Sequence, residues 1–254
     1  MNINLDNKFL NDSNKLELQR LLDSTNPNIT DDLEQIWYLM DKVWDEMECD
    51  NKNPNWNKIY EYYSHPIWML NGLFIENHEL SMSIRKSIAA YIKQNNFKKI
   101  CDYGGGFGTL AKEIATLCPY LQIDIYEPFP SDYAKQCIGE FENIRFISKL
   151  QNDYYDCLVT TDVLEHVDNV LGTLKMMMDA VKIDSSMLIG NCFYPVIKCH
   201  LPKHFHFRYS FKYIAESMGL KYENKIEGAE YVEIFTKKKE AKITNKTKLL
   251  GGGQ

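Results

Sequence analysis

The sequence predicts an α/β protein: a doubly wound, mostly parallel sheet carrying an N-terminal helical cap. Three observations predict it. From Lys98 to Lys238, short apolar runs alternate with segments of helical periodicity; parallel strands joined by crossover helices produce that alternation. A glycine-rich turn follows the first strand-like run and opens the helix after it. Ahead of that run, residues 1–97 hold helical stripes and no strand pattern.

In chain order, residues 1–30 are polar, rich in Asn and Asp, and read as short helix or coil. Residues 31–48 place Leu33, Ile36, Trp37, Met40, Val43, Trp44 and Met47 at steps of three and four, one apolar helical stripe. Asp31 with Glu34 three residues on suits its N-terminal cap. A polar break around Pro54 leads into the aromatic-rich segment 56–74, and another helix is expected over 80–95. From there, KKICDYG, LQIDIYEP, NIRFIS, YDCLVTT, SSMLIGNCF and YVEIFTKK read as strands. GTLAKEIATLC, SDYAKQCIGEF, VDNVLGTLKMMMDAV and YSFKYIAESMG read as the helices between them. The organisation is thus a cap over 1–97, a sheet domain over 98–237, and a Lys-rich tail over 238–254 expected to be mobile.

Composition bounds the function. The 254 residues are 44% hydrophobic and 25% charged, enough for one sizeable core. No apolar run reaches the roughly 20 residues of a membrane helix, and the N-terminus lacks the basic-then-apolar pattern of a secretory signal. The seven cysteines form no CxxC pair and read as reduced thiols of a cytoplasmic protein. The net charge of −6 argues against a general nucleic-acid binder. Acids dominate residues 1–50, whereas residues 196–212 hold Lys198, Lys203, Arg208, Lys212, His200, His204 and His206 with no acid.

The chemistry begins at Asp102–Gly108, DYGGGFG. Glycines 104, 105, 106 and 108 let the backbone turn sharply and approach a ligand closely. The spacing departs from G-x-G-x-x-G, and no G-K-[ST] follows, so this is not a P-loop. Glu127 ends the next strand, where a carboxylate can accept from both ribose hydroxyls of a nucleoside. A glycine turn alone would equally serve NAD, FAD or S-adenosylmethionine.

D-x-G-x-G-x-G, an acid after the second strand, and a fourth strand running into D-V-L-E-H-V (Asp162–Val167) resemble the class I S-adenosylmethionine-dependent methyltransferases of small molecules, over about residues 98–236. The resemblance implies a seven-stranded sheet and S-adenosyl-L-methionine as cofactor. It implies that Asp102, Gly104, Gly105, Gly106 and Gly108 hold the methionine end, Glu127 the ribose, and Phe129 the adenine face. Thr161 and Asp162 would line the sulfonium side. The acid that the family often places after the third strand is missing, since Ser148-Lys149-Leu150 stands there.

His166 is the candidate catalytic base for a hydroxyl acceptor, with a brace for the loop as its plain alternative. The basic segment points to an anionic acceptor, phosphate or carboxylate, sugar- or nucleotide-linked as in capsule or natural-product assembly. Tyr63, His200, His204 and Arg208 are the substrate-binding candidates. Arg85 and the aromatic cluster Tyr60, Tyr62, Tyr63, His65 and Trp68 are candidates for the pocket wall or the methionine carboxylate. No metal is expected, although His200, His204, His206 and Cys199 offer ligands. No nucleic-acid or membrane partner is expected, and a homodimer is left open. A macromolecular methyltransferase or a non-catalytic binding module are the alternatives.

Overall fold

The computed structural model describes residues 3–6 and 9–252. Five helices precede the sheet: α1 (Asp12–Asp23), α2 (Asp32–Glu46), α3 (Trp56–Tyr63), α4 (Pro66–Asn77) and α5 (Glu79–Gln94). The polar N-terminal stretch contains the first of them, capped by the Asn11 side chain. Asp31 caps α2 through Leu33 N–H and Glu34 N–H, as its position predicts. The stripe on α2 is buried, with Ile36, Leu39, Val43 and Trp44 packing on Leu70 and Leu73 of α4 and on Ile59 and Tyr62 of α3. It is a packing face.

The sheet alternates as expected: β1 (Lys99–Tyr103), α6 (Thr109–Leu117), β2 (Gln122–Tyr126), α7 (Asp132–Ile138), β3 (Ile144–Ile147), β4 (Tyr155–Thr161), α8 (Val170–Ala180), β5 (Val181–Gly190), α9 (Phe207–Met218), β6 (Leu220–Ile226), β7 (Ala229–Lys237), α10 (Asn245–Leu250). The strand order is β3-β2-β1-β4-β5-β7-β6. The first five strands run parallel, and β7 is antiparallel to both β5 and β6. β6 is the strand that periodicity does not reveal. It is an edge strand whose middle residues face solvent, so LKYENKI carries almost no apolar alternation.

Side chains alternate across the sheet and build a core on each face. Cys101, Tyr103, Leu158, Met187 and Ile189 pack beneath α8 and α9. Ile100, Cys157, Val159 and Leu188 pack beneath α5 and α6. α5 thus packs on the sheet through Ile88, Ala89 and Ile92.

Part of the Lys-rich tail packs against the sheet domain in this structure. Ala241 and Thr247 are buried, Thr247 Oγ1 lies 3.0 Å from Ser217 Oγ on α9, and a Cβ on Gly251 would touch Leu171. Its lysines face outward while its small residues dock, so composition alone misleads.

Candidate active site

Brought to one edge of the sheet are the turn after β1, Glu127 after β2, Asp162 after β4 and the long connection after β5. β1 lies between β2 and β4, so chain order reverses there, the position at which ligands bind in doubly wound sheets.

The glycine turn has three left-handed residues: Gly104 (φ 74), Gly106 (φ 52) and Gly108 (φ 72). Two have a further constraint. A Cβ on Gly104 would stand 2.3 Å from Val163 Cγ2, and one on Gly108 would meet Ile125 and Ile138. Gly106 differs, since nothing lies within 4 Å of where its Cβ would be. Its open face is the space a ligand can enter. Gly106 N–H donates to Glu127 Oε2 at 3.0 Å, and Phe129 N–H donates to Glu127 Oε1 at 3.0 Å. The acid is thereby aimed over the turn.

Asp102 is buried, and its Oδ2 has no hydrogen-bond partner. Burial raises its pKa to about 7, with the Arg85 charge opposing and the Glu127 charge adding. Burial likewise raises Asp162 to about 6, again against Arg85. Asp162 holds a left-handed backbone (φ 55) at the end of β4, where its N–H donates to Gly190 O at 2.9 Å. Tyr231 of β7 donates to Asp162 Oδ2 at 3.4 Å. Arg85 thus enters the field of both acids from α5, while Thr161 stands beside Asp162 as the last residue of β4. Tyr231 carries no local signal in the sequence, because only the antiparallel return of β7 delivers it.

The cap closes on this edge through the turn itself. Phe107 packs between Tyr133, centroids 4.9 Å apart, and Gly72 of α4, where a Cβ would come within 2.6 Å of the ring. Glu76 of α4 accepts from Thr109 Oγ1 at 3.2 Å and pairs with Lys112. From α3, Tyr63 stacks on Phe129 at 6.1 Å, and Tyr60 lies 5.7 Å from the same ring. Tyr63 and Trp68 each meet the His166 ring in a T-shaped contact, at 6.0 and 5.9 Å. His65 and Tyr62 do not join this wall. His65 caps α4, and Tyr62 is buried against Trp44.

His166 is neutral. Burial and the neighbouring His200 hold its pKa well below the ordinary histidine value. A carbonyl can only accept, so the 3.2 Å contact to Cys199 O puts the proton on His166 Nδ1. Its ring lies 4.8 Å from that of His200. Glu165 is fully buried, its Oε1 accepting from Cys192 N–H at 2.7 Å. That bond bends the chain away after Gly190, so residues 191–193 leave the sheet where the apolar run predicts strand. Burial and the Asp162 charge raise the Glu165 pKa to about 8.

The basic segment is corrected in its charge state. His200 is buried, its Nδ1–H donating to Tyr194 O at 2.8 Å, and burial lowers its pKa. His204 donates to Val167 O at 2.6 Å, and burial lowers its pKa to about 4. Both rings are neutral and fold the connection onto the sheet, so neither is a cation for an anionic group. Lys198 pairs with Asp45, and its N–H donates to Asp41 Oδ1 at 2.6 Å; Lys203 pairs with Asp168. Lys198 thus answers acids of α2, and Lys203 the turn after β4. Arg208 is exposed, over the rings of Tyr194 and Tyr209. Cys199 is buried beside Tyr62 and His206 lies on Phe207, so the four ligands that lie close in sequence do not converge.

The sheet order, the turn at its switch point and the acid at the end of β2 define a doubly wound α/β domain. Residues 77–195 match the family model described as a methyltransferase domain. Among solved structures, human N-acetylserotonin methyltransferase in complex with S-adenosylmethionine is 20% identical, covering 80% of this chain and 66% of that one, with a TM-score of 0.50. The mitomycin 7-O-methyltransferase is 19% identical, covering 79% of this chain and 66% of that one, at 0.53. YcgJ of Bacillus subtilis is 20% identical over 41% of this chain, at 0.36. The chain spans 50% of YcgJ and 49% of the CurJ carbon methyltransferase. At these identities the likeness is one of fold. No curated protein matches the sequence.

The residues present fit the cofactor. Asp102 Oδ2 is an orphaned buried acceptor, Gly106 has an open face, and Glu127 is a carboxylate poised at the end of β2.

Proposed function

We propose that the protein transfers a methyl group from S-adenosylmethionine to a hydroxyl oxygen of a small molecule with a flat, apolar body. The observation that carries the acceptor class is the ring wall of Tyr63, Trp68 and His166 beside the edge that holds Asp162 and Glu165. Flat acceptors gain from offset or edge-on aromatic contacts, and every histidine of this wall is neutral.

The bound cofactor supplies an electrophilic methyl on sulfur. The chain's residues divide the remaining work. Glu127 accepts from the ribose hydroxyls, and Asp102 accepts from the ammonium of the methionine end. Arg85 faces its carboxylate, Gly104 to Gly108 give backbone approach, Phe129 covers the adenine, and Thr161 and Asp162 line the sulfonium side. Alignment of acceptor and methyl is the larger part of the catalysis. Deprotonation of the acceptor falls to the cluster around His166, whose proton on Nδ1 leaves Nε2 as the acceptor atom. We expect His166→Ala to cut turnover roughly 10²-fold with S-adenosylhomocysteine affinity intact.

A second reading keeps the anionic, sugar- or nucleotide-linked acceptor of capsule or natural-product assembly. It rests on Arg208, exposed beside Tyr194 and Tyr209. The experiment that separates the two is S-adenosylhomocysteine production with a phosphate-free pool of aromatic and alicyclic alcohols and a pool of phosphorylated or nucleotide-linked sugars. Turnover confined to the first pool supports the flat acceptor; turnover confined to the second overturns it. All seven cysteines are unpaired, which supports a reducing, cytoplasmic setting. Among the described residues no helix is long and apolar enough to cross a membrane.

A further inference from the structure

One group beside the acceptor wall is more than a base needs. Glu165, His166 and His200 each place a ligand atom within 4.8 Å of the other two. They come from two parts of the chain, the turn after β4 and the connection after β5, and the fold brings them together. Each imidazole is fixed in the same tautomer. His166 Nδ1–H is spent on Cys199 O and His200 Nδ1–H on Tyr194 O, so both rings offer the bare Nε2 lone pair. A backbone carbonyl on the far ring nitrogen is the usual means by which a metal-ligating histidine is oriented.

Glu165 completes the set. Its Oε1 is held by Cys192 N–H, and its Oε2 is buried with no partner. An unpaired buried carboxylate oxygen is costly. A cation bound there would displace the carboxyl proton and engage all three ligand atoms at once.

We propose that Glu165, His166 and His200 form a binding site for one divalent transition-metal ion. Two imidazole nitrogens and one carboxylate oxygen suit zinc, iron or cobalt, and leave coordination positions open. Ligand bonds of about 2.0–2.2 Å require the three atoms to draw in to roughly 3.4 Å of one another, a distance that side-chain rotation covers. Tyr63 and Trp68 border the same ring of His166, so the open positions adjoin the acceptor wall.

Resting on the methyltransferase reading, the site gives the acceptor hydroxyl a Lewis acid. The ion binds the hydroxyl oxygen and lowers its proton affinity. The proton passes to water, an oxygen lone pair forms the bond to the methyl carbon, and the C–S electron pair stays on sulfur. With an ion bound, His166 Nε2 holds it and the acceptor proton goes to water; without one, Nε2 is the base described above.

The test uses the full chain, stripped with a chelator and titrated with Co²⁺ alone, with visible absorption and metal analysis as readouts. S-adenosylhomocysteine binding is measured on the same sample. The expected result is one Co²⁺ per chain with a ligand-field band. His200→Asn keeps a donor for Tyr194 O and removes Nε2, and Glu165→Gln removes the charge. Each should weaken Co²⁺ binding by more than the roughly 10–100-fold that loss of an outer-shell partner costs, with S-adenosylhomocysteine affinity preserved. Wild-type protein that binds S-adenosylhomocysteine but no Co²⁺, or Co²⁺ binding indifferent to His200→Asn, overturns the site. Co²⁺ binding without S-adenosylhomocysteine binding would instead overturn the methyltransferase reading and leave the site standing. Should a variant lose both ligands through misfolding, the wild-type titration decides.

Discussion

Glu127 bridges the glycine turn to the end of β2: its Oε2 accepts from Gly106 N–H while its Oε1 accepts from Phe129 N–H, both at 3.0 Å. The carboxylate is therefore preorganised over the one glycine whose outer face is open. Charge-assisted hydrogen bonds contribute about 1.5–3 kcal/mol each. Glu127→Ala should weaken S-adenosylhomocysteine binding by roughly 10- to 100-fold, read by calorimetry. A Kd within threefold of wild type would remove Glu127 from the ribose role.

Gly104 and Gly106 share a left-handed backbone but not an environment. At Gly104 a methyl collides with Val163, so Gly104→Ala should destabilise the fold by roughly 2–4 kcal/mol, combining strain and overpacking. At Gly106 the same change meets no neighbour and should cost only about 1 kcal/mol of strain, whereas Gly106→Arg should fill the cleft and abolish S-adenosylhomocysteine binding. Thermal melts and binding measured together check this. Equal destabilisation at both glycines, or retained binding in Gly106→Arg, would contradict it.

The buried Asp102 makes stability depend on pH. Its folded pKa of about 7 lies above the ordinary 3.8 because burial penalises the charged form. Between these values the folded state keeps a proton that the unfolded state releases. The stability this contributes is complete below the unfolded pKa and is lost as pH rises through about 7. The neutral histidines His166, His200 and His204, with lowered pKa values, act in the opposite sense below about 6.5. Comparison with Asp102→Asn cancels their effect. The stability of wild type relative to Asp102→Asn should fall by about 1.4 kcal/mol per pH unit between pH 4 and 7 and level off above. Denaturant melts across that range measure it, and a flat difference would mean that Asp102 is not protonated in the fold.

The cap is latched to the cofactor turn through Gly72 and Phe107. A methyl at residue 72 would overlap the Phe107 ring, so Gly72→Ala should cost roughly 1–3 kcal/mol and weaken S-adenosylhomocysteine binding by shifting the turn. Phe107→Ala removes the obstacle. In a double-mutant cycle the two changes should couple by about 0.5–3 kcal/mol, and strict additivity would dissociate the cap from the turn.

Much of the fold is legible because its signals are local. Apolar periodicity marks α2, α5 and six of the seven strands, and the acid-plus-glycine pattern marks the turn after β1. β6 escapes because an edge strand with solvent on its flanks keeps no apolar alternation. The end of β5 is overread because Glu165, a residue from another turn, captures Cys192 N–H.

By itself the sequence determined the α/β class, the position of the glycine turn and the acid that faces it, since each depends on residues near one another in the chain. The tertiary structure alone decided which charges are free. Lys198 and Lys203 are answered by acids of α2 and of the turn after β4, His200 and His204 are neutral, and the lysine-rich tail is docked. It also decided that His166 meets His200 and Glu165. A charge or a lone pair takes its meaning from what lies within a few ångströms, and chain separation carries no information about that distance.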